Sequence, residues 1–325
     1  MKAAVYRQYG PPDVLHIEEV RAPIPKNHEV LVRVHATSVC TADWRARKAD
    51  PFIVRFIAGL FRPKVKILGM EFAGIVERIG NRAAKFNVGD RVFGLTGFKF
   101  GCYAEYVAVA EDRSIATTPE TVTDAEAAGL CFGALTALTF LRAGEITAGQ
   151  NVLIYGASGS VGSFAVQLAK HFGARVTGVC STTNLELVKS LGADEVVDYT
   201  REDFSKAGHV YDMVFDAVGK SGFWRSLRAL KRGGSYVLVA APIFASWLWR
   251  AWLAITGTAK IAGGITRATP EDLELLKRLM TTGELRTVID RTYALEDIAE
   301  AHRYAEAGHK KGNVIIIVAG DEGHE

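Results

Sequence analysis

The sequence predicts an α/β protein in which a doubly wound parallel sheet is inserted into a β-rich domain built from both ends of the chain. Three observations carry the prediction: short strands separated by turn residues fill the first third, strands and helices alternate through the middle, and a glycine-rich turn there joins a strand to a helix. At 325 residues the chain exceeds one average core, which favours two domains. Its 49% hydrophobic and 23% charged residues are those of a packed domain rather than a disordered one.

The N-terminal third alternates apolar runs with Gly and Pro: Glu29 to Ala36, Glu71 to Gly80, Gly89 to Leu95 and Tyr103 to Ala110 read as strands. Between the first two, residues 43–64 mix helical spacing with Pro51 and Pro63, predicting a helix broken by irregular chain. From Asp124 the apolar period becomes helical, behind a Thr123-x-x-Glu126 capping box. Strand and helix then alternate through NVLIYGA, SVGSFAVQLAKHFG, ARVTGVCS, NLELVKSLG, EVVDY, YDMVFDAVG, FWRSLRALKRGG and SYVLVAAP, the pattern of a parallel sheet covered on both faces. After Gly264 come a helix opening near Pro270, an extended piece, a second helix and a terminal strand.

Lys and Arg number 39 against 36 Asp and Glu, with no long run of one sign, so charge demands neither nucleic acid nor acidic lipid. Four scattered cysteines, Cys40, Cys102, Cys131 and Cys180, and a start without the apolar core of a secretory signal predict a reducing cytoplasm. Residues 243–262 are rich in Trp and Leu but carry Arg250 and Lys260, which predicts a buried or interfacial helix rather than an integral membrane span.

The strongest chemical signal is Gly156-Ala157-Ser158-Gly159-Ser160-Val161-Gly162, which follows an apolar strand and opens an amphipathic helix. Glycines there let the backbone turn tightly and approach a pyrophosphate, whose charge is met by N–H groups and the dipole of the helix N-terminus. Ala157 stands at the first fingerprint position and Gly159 and Gly162 at the second and third. NADH is usually held by an Asp or Glu about 20 residues further on, where this chain reads Cys180-Ser181-Thr182-Thr183-Asn184. Hydroxyls and an amide donate to a 2′-phosphate that a carboxylate would repel, so the expected cofactor is NADPH, with Tyr199 and Lys189 as further contacts.

These stretches, with VLVRVHATSVCTADW, ILGMEFAGIVERIG, FNVGDRVFGL, LGADEVVDY, FDAVG and the tail IDRTYALEDIAEAHRYAEAGHKKGNVIIIV, resemble the medium-chain dehydrogenase/reductase superfamily in its zinc-free, quinone oxidoreductase-like branch, over nearly the whole length. The resemblance implies a GroES-like catalytic domain, assigned to residues 1–121 and 267–325, around a Rossmann domain of residues 122–266, and a homodimer joined through Rossmann strand edges. It implies a cleft in which Val218, Gly219, Val239, Ala240 and Ala241 hold the nicotinamide carboxamide, with Thr136 beneath it and Asn313 near the pyrophosphate. Zinc-dependent members of the superfamily carry a cysteine at Cys40 and a histidine at Met70. A thioether is a poor Zn²⁺ ligand and Cys131 is out of register with the third position, so no metal site is expected.

Without a Lewis acid the easier reaction is hydride transfer to a polarised acceptor, a quinone or an α,β-unsaturated carbonyl. Cys40 reads as a small pocket residue or a reactive thiol, and Asp43 as a catalytic carboxylate or a helix cap. Thr41, a cofactor ribose hydroxyl or solvent supplies the proton, and Trp44 with Phe52 and Phe56 forms an apolar substrate wall or plain core. Histidines His16, His28, His35, His171, His209, His302 and His309 show no ligand spacing, which assigns them structural or surface roles. Two other functions stay open: a non-catalytic NADPH sensor, and an alcohol dehydrogenase with a degenerate zinc site.

Overall fold

The computed structural model describes residues 1–52, 54–239 and 258–318. In chain order its elements are β1 (Lys2–Val5), β2 (His16–Glu19), β3 (Glu29–Ser38), α1 (Thr41–Lys48), α2 (Val54–Ala58), β4 (Glu71–Ile79), β5 (Arg91–Leu95), β6 (Tyr106–Ala110), β7 (Ile115–Thr117), α3 (Asp124–Ala128) and α4 (Cys131–Ala143). They continue with β8 (Asn151–Tyr155), α5 (Ser160–His171), β9 (Arg175–Cys180), α6 (Leu185–Ser190), β10 (Glu195–Asp198), β11 (Tyr211–Asp216), α7 (Phe223–Ala229), β12 (Leu230–Leu238), β13 (Ala259–Ala262), α8 (Pro270–Thr281), β14 (Ile289–Ala294), α9 (Ile298–Glu306) and β15 (Asn313–Ile317). Two compact units result: Met1–Phe132 with Ala268–Gly283 and Thr287–Glu325, and Gly133–Arg267 with Glu284–Arg286.

In the first unit a seven-stranded sheet runs β14-β15-β3-β4-β5-β7, with β6 also paired to β3, and β1 and β2 form a separate hairpin. Val30, Val32 and Val34 on β3 pack with Phe72 and Val76 on β4 and Val107 and Val109 on β6 in one buried cluster. That alternation is what a half-buried antiparallel sheet requires. In the second unit six strands run β10-β9-β8-β11-β12-β13, all parallel. Its central strands are apolar without alternation, Val152, Leu153 and Ile154 being fully buried, as in a sheet covered on both faces.

Three expectations are corrected. The first unit extends to Phe132 rather than 121, because α3 is tied to it: Asp124 Oδ2 lies 2.7 Å from His35 Nδ1, Arg91 Nη2 donates to Asp124 Oδ1 at 2.6 Å, and Thr287 Oγ1 donates to the Glu126 carbonyl at 2.8 Å. The helix expected through FWRSLRALKRGG stops at Ala229, because Leu230 is buried and pairs with Tyr211 as the start of β12. Residues 259–262, expected at the end of a helix, form an edge strand beside β12; residues 243–257 lie outside the described residues. Among the described residues no helix is long and apolar enough to cross a membrane.

Candidate functional site

The glycine turn leaves β8 at Tyr155 and enters α5 at Ser160, with Gly159 as the extended cap residue. Gly156 and Ala157 both donate their N–H to the Val179 carbonyl at 3.0 Å, which fixes the turn against β9. A Cβ on Gly162 would stand 2.1 Å from the Gly156 carbonyl oxygen, so the third glycine is dictated by backbone approaching backbone. A Cβ on Gly159 would meet nothing nearer than 3.5 Å, which leaves open the ground before the helix N-terminus.

Beyond β9, the buried Asn184 donates from Nδ2 to Ser158 Oγ and to Ser181 Oγ, each at 3.1 Å, while its Oδ1 is buried without a partner. The glycine turn and the strand end are thus joined, with a polar atom still to be satisfied, which suits a bound dinucleotide. Thr182 and Thr183 are exposed beside them. Thr182 Oγ1 donates to Asp198 at the end of β10, whose other oxygen accepts from the Thr200 N–H at 2.9 Å. The half-exposed Tyr199 ring lies 6.2 Å from that of Tyr155, whereas Lys189 pairs with Glu186 on its own helix.

Sequence reasoning missed two contributors here. Arg201 Nε stands 3.6 Å from Asp198 Oδ2, placing a cation at the strand ends where none was expected. Only pairing β10 with β9 brings it there, so the linear pattern does not reveal it. Asp216, closing β11, accepts from the N–H groups of Val218, Gly219 and Ser221 at 3.1, 2.8 and 2.9 Å and so shapes the turn expected to face the nicotinamide. Of that group Val239 donates to the Asp216 carbonyl, and Ala240 and Ala241 lie outside the described residues. Thr136 on α4 is buried, its Oγ1 3.0 Å from Thr266 Oγ1.

In the first unit α1 opens at Cys40, and Asp43 Oδ2 accepts from the Cys40 N–H at 2.9 Å while Oδ1 accepts from the Gly69 N–H at 3.1 Å. Asp43 is therefore a helix cap that also pins β4's approach, and burial raises its pKa to about 6. Burial likewise pushes the Cys40 thiol far up, helped by Asp43 and Glu71, which removes the thiolate a reactive cysteine needs. Thr41 occupies the first turn of α1, and Trp44 is half-buried with the Arg45 guanidinium 5.5 Å from its ring. Phe52 and Phe56 are 61% and 68% exposed, so neither is core. Asn313 is buried and donates from Nδ2 to the Val288 carbonyl at 3.2 Å. His302 is buried with Nε2 3.1 Å from Tyr103 Oη and a pKa lowered by burial to about 3, a structural histidine.

Glu71 accepts from Ser38 Oγ and, at 2.5 Å, from the Phe132 N–H; burial raises its pKa to about 7 against these bonds. Lys310 was also missed: burial lowers its pKa, and Cys40, Glu71 and Asp43 oppose that fall.

Residues 26–120 match the alcohol dehydrogenase GroES-like domain and residues 191–316 the zinc-binding dehydrogenase family. A 2-methylene-furan-3-one reductase of Solanum lycopersicum is 33% identical over 97% of this chain and 79% of its own length. The chain belongs to the medium-chain dehydrogenase/reductase superfamily, in its quinone oxidoreductase-like branch. A chloroplastic NADPH-dependent alkenal/one oxidoreductase of Arabidopsis thaliana is also 33% identical, over the same shares. The quinone oxidoreductase of Coxiella burnetii superposes with a TM-score of 0.89 at 32% identity, covering 98% of this chain and 99% of that one. The first unit is thus the superfamily's GroES-like domain and the second its Rossmann domain.

The zinc that some members carry does not fit these residues. Met70 offers a thioether 4.0 Å from the Cys40 sulfur, and Glu71 is committed to Ser38 and Phe132.

Proposed function

We propose that this chain is a zinc-independent, NADPH-dependent oxidoreductase that reduces a quinone or an α,β-unsaturated carbonyl. The observation that carries it is the joined polar cluster of Ser158, Ser181 and Asn184 at the glycine turn, with no carboxylate on β9 itself and the Asp198 carboxylate of neighbouring β10 tied to Thr182, Thr200 and Arg201. NADPH, when bound, supplies the hydride. The first turn of α5 holds its pyrophosphate, and Ser181, Thr182, Thr183, Tyr199 and Arg201 hold its 2′-phosphate. Val218, Gly219 and Val239 receive the carboxamide, Thr136 lies under the ring and Asn313 serves the pyrophosphate. Trp44 walls the acceptor, Thr41 donates to its developing enolate oxygen, and Cys40 and Asp43 shape the floor without chemistry of their own. Four unpaired, buried cysteines support a reducing cytoplasm, and β10 and β13, the outer strands of the sheet among the described residues, suit a homodimer.

The test is NADPH oxidation, followed at the nicotinamide absorbance, with quinones, enones and aldehydes, with and without chelator and with NADH in parallel. Chelator-insensitive turnover preferring NADPH is expected. Activity that falls with chelation rejects the zinc-free reading, and tight NADPH binding without turnover of any acceptor leaves the sensor.

A further inference from the structure

We propose that the segment from Val54 to Lys66 in the GroES-like unit, together with Phe52, docks the protein on the surface of an anionic lipid bilayer. Within ten residues Phe52, Phe56, Leu60 and Phe61 are all exposed, Phe61 by 85%. From Pro51 to Met70 the sequence contains no Asp or Glu, while Arg55, Arg62, Lys64 and Lys66 all fall there. Arg62, Lys64 and Lys66 are exposed. A surface that turns aromatic side chains outward among cations, with no acid interleaved, carries the two features that hold an interfacial segment: rings for the headgroup boundary and positive charge for the lipid phosphates.

The segment is built rather than loose. Tyr9 Oη donates to the Gly59 carbonyl at 2.8 Å, the Lys64 N–H donates to the Ala58 carbonyl at 2.8 Å, and the Arg55 guanidinium sits 4.9 Å from the Tyr9 ring centre and 5.0 Å from that of Phe52. Gly59 makes the tight return with φ +123°, where a Cβ would strike the Arg62 carbonyl oxygen at 2.1 Å. The backbone that carries Phe61, Arg62 and Lys64 is therefore tied into the fold, which lowers the ordering cost of insertion. A second exposed aromatic, Phe98 beside Lys99, is carried on a turn whose end bonds to the chain just beyond the segment, Gly101 N–H to the Leu68 carbonyl at 3.2 Å. Lys66 is partly offset by Glu18, so Arg62 and Lys64 carry the attraction.

Sedimentation of the full chain with vesicles tests this independently of the reductase reading. Binding is expected to vesicles containing 30% phosphatidylglycerol, to weaken about five-fold per cation removed in Arg62→Gln and Lys64→Gln, and to disappear in Phe61→Ser, while each variant keeps the wild-type NADPH affinity that reports folding. Equal binding to pure phosphatidylcholine, or none to either vesicle, overturns the proposal. A Phe61→Ser change that instead halves the molar mass in light scattering, with vesicles unbound throughout, assigns the patch to a second copy of this chain and also overturns it.

Discussion

The glycine turn of the Rossmann unit and the buried carboxylates of the GroES-like unit are specified by different parts of the chain's chemistry. At the turn, backbone meets backbone: Gly162 is there because the Gly156 carbonyl leaves no room for a Cβ. Around α1, side chains come from distant segments: Asp43 from α1 bonds the Gly69 N–H ahead of β4, and Glu71 from β4 bonds Ser38 from β3. The first kind of site is local in sequence and, at Gly162, tolerates no side chain. The second is assembled by pairing of strands, and its properties are set by burial.

The largest effect tests the backbone half. Gly162→Val forces atoms into the 2.1 Å gap at the Gly156 carbonyl, and NADPH binding should weaken by roughly 100-fold, about 3 kcal/mol, the upper range for overpacking. Titration by nicotinamide fluorescence, with a melting curve to confirm folding, measures it. A folded variant with near-native affinity would break the contrast, because the turn would then be adaptable.

The side-chain half is tested through pH. Glu71 has a folded pKa of about 7 against 4.5 unfolded, raised by burial and by Asp43 against its bonds from Ser38 and Phe132 and the field of Lys310. Between those values the folded state binds more protons than the unfolded one, so stability falls as pH rises through the window, by up to about 1.4 kcal/mol per pH unit. Glu71→Gln lacks this titration while Asp43 remains in both proteins. Wild-type stability should therefore drop relative to the variant between pH 4.5 and 7 and run parallel above it. Parallel denaturation midpoints across the whole range would mean that the cluster is solvated.

The same contrast explains what the sequence discloses. The strand, the glycines and the amphipathic helix are adjacent in the chain, so the dinucleotide turn is legible from Val152 to Gln167, while the choice of NADPH rests on Cys180 to Asn184. The β-rich domain is legible by alternation on β3 and β4, and the helix broken at Pro51 appears as α1 and α2. Arg201, Asp216 and Lys310 are not legible, because each acts on a residue of another element or through backbone folded onto it. The edge strand β13 escapes because Ala259–Ala262 has too few residues to show a period.

A smaller effect sharpens the boundary between the two kinds of site. Arg201 is exposed and only 3.6 Å from Asp198, so its contribution to a 2′-phosphate is that of a screened surface cation, about 1 kcal/mol. Arg201→Ala should raise the NADPH dissociation constant about five-fold and leave that for NADH unchanged. Equal changes for both cofactors would place Arg201 in the fold of β10 rather than at the phosphate.

The smallest effect separates packing from chemistry at Cys40. Its thiol is buried, its pKa is pushed far above the ordinary range, and its sulfur lies 4.0 Å from that of Met70. A group so placed fills space and stays protonated. Cys40→Ala should therefore lower stability by about 1 kcal/mol, the loss of one small buried group, while the kcat for quinone reduction stays within two-fold of wild type, roughly the noise of such comparisons. Steady-state kinetics beside a urea titration reads both. A large fall in kcat at unchanged NADPH affinity would make the sulfur part of the chemistry, and the carboxylates that raise its pKa would then be tuning a reacting group.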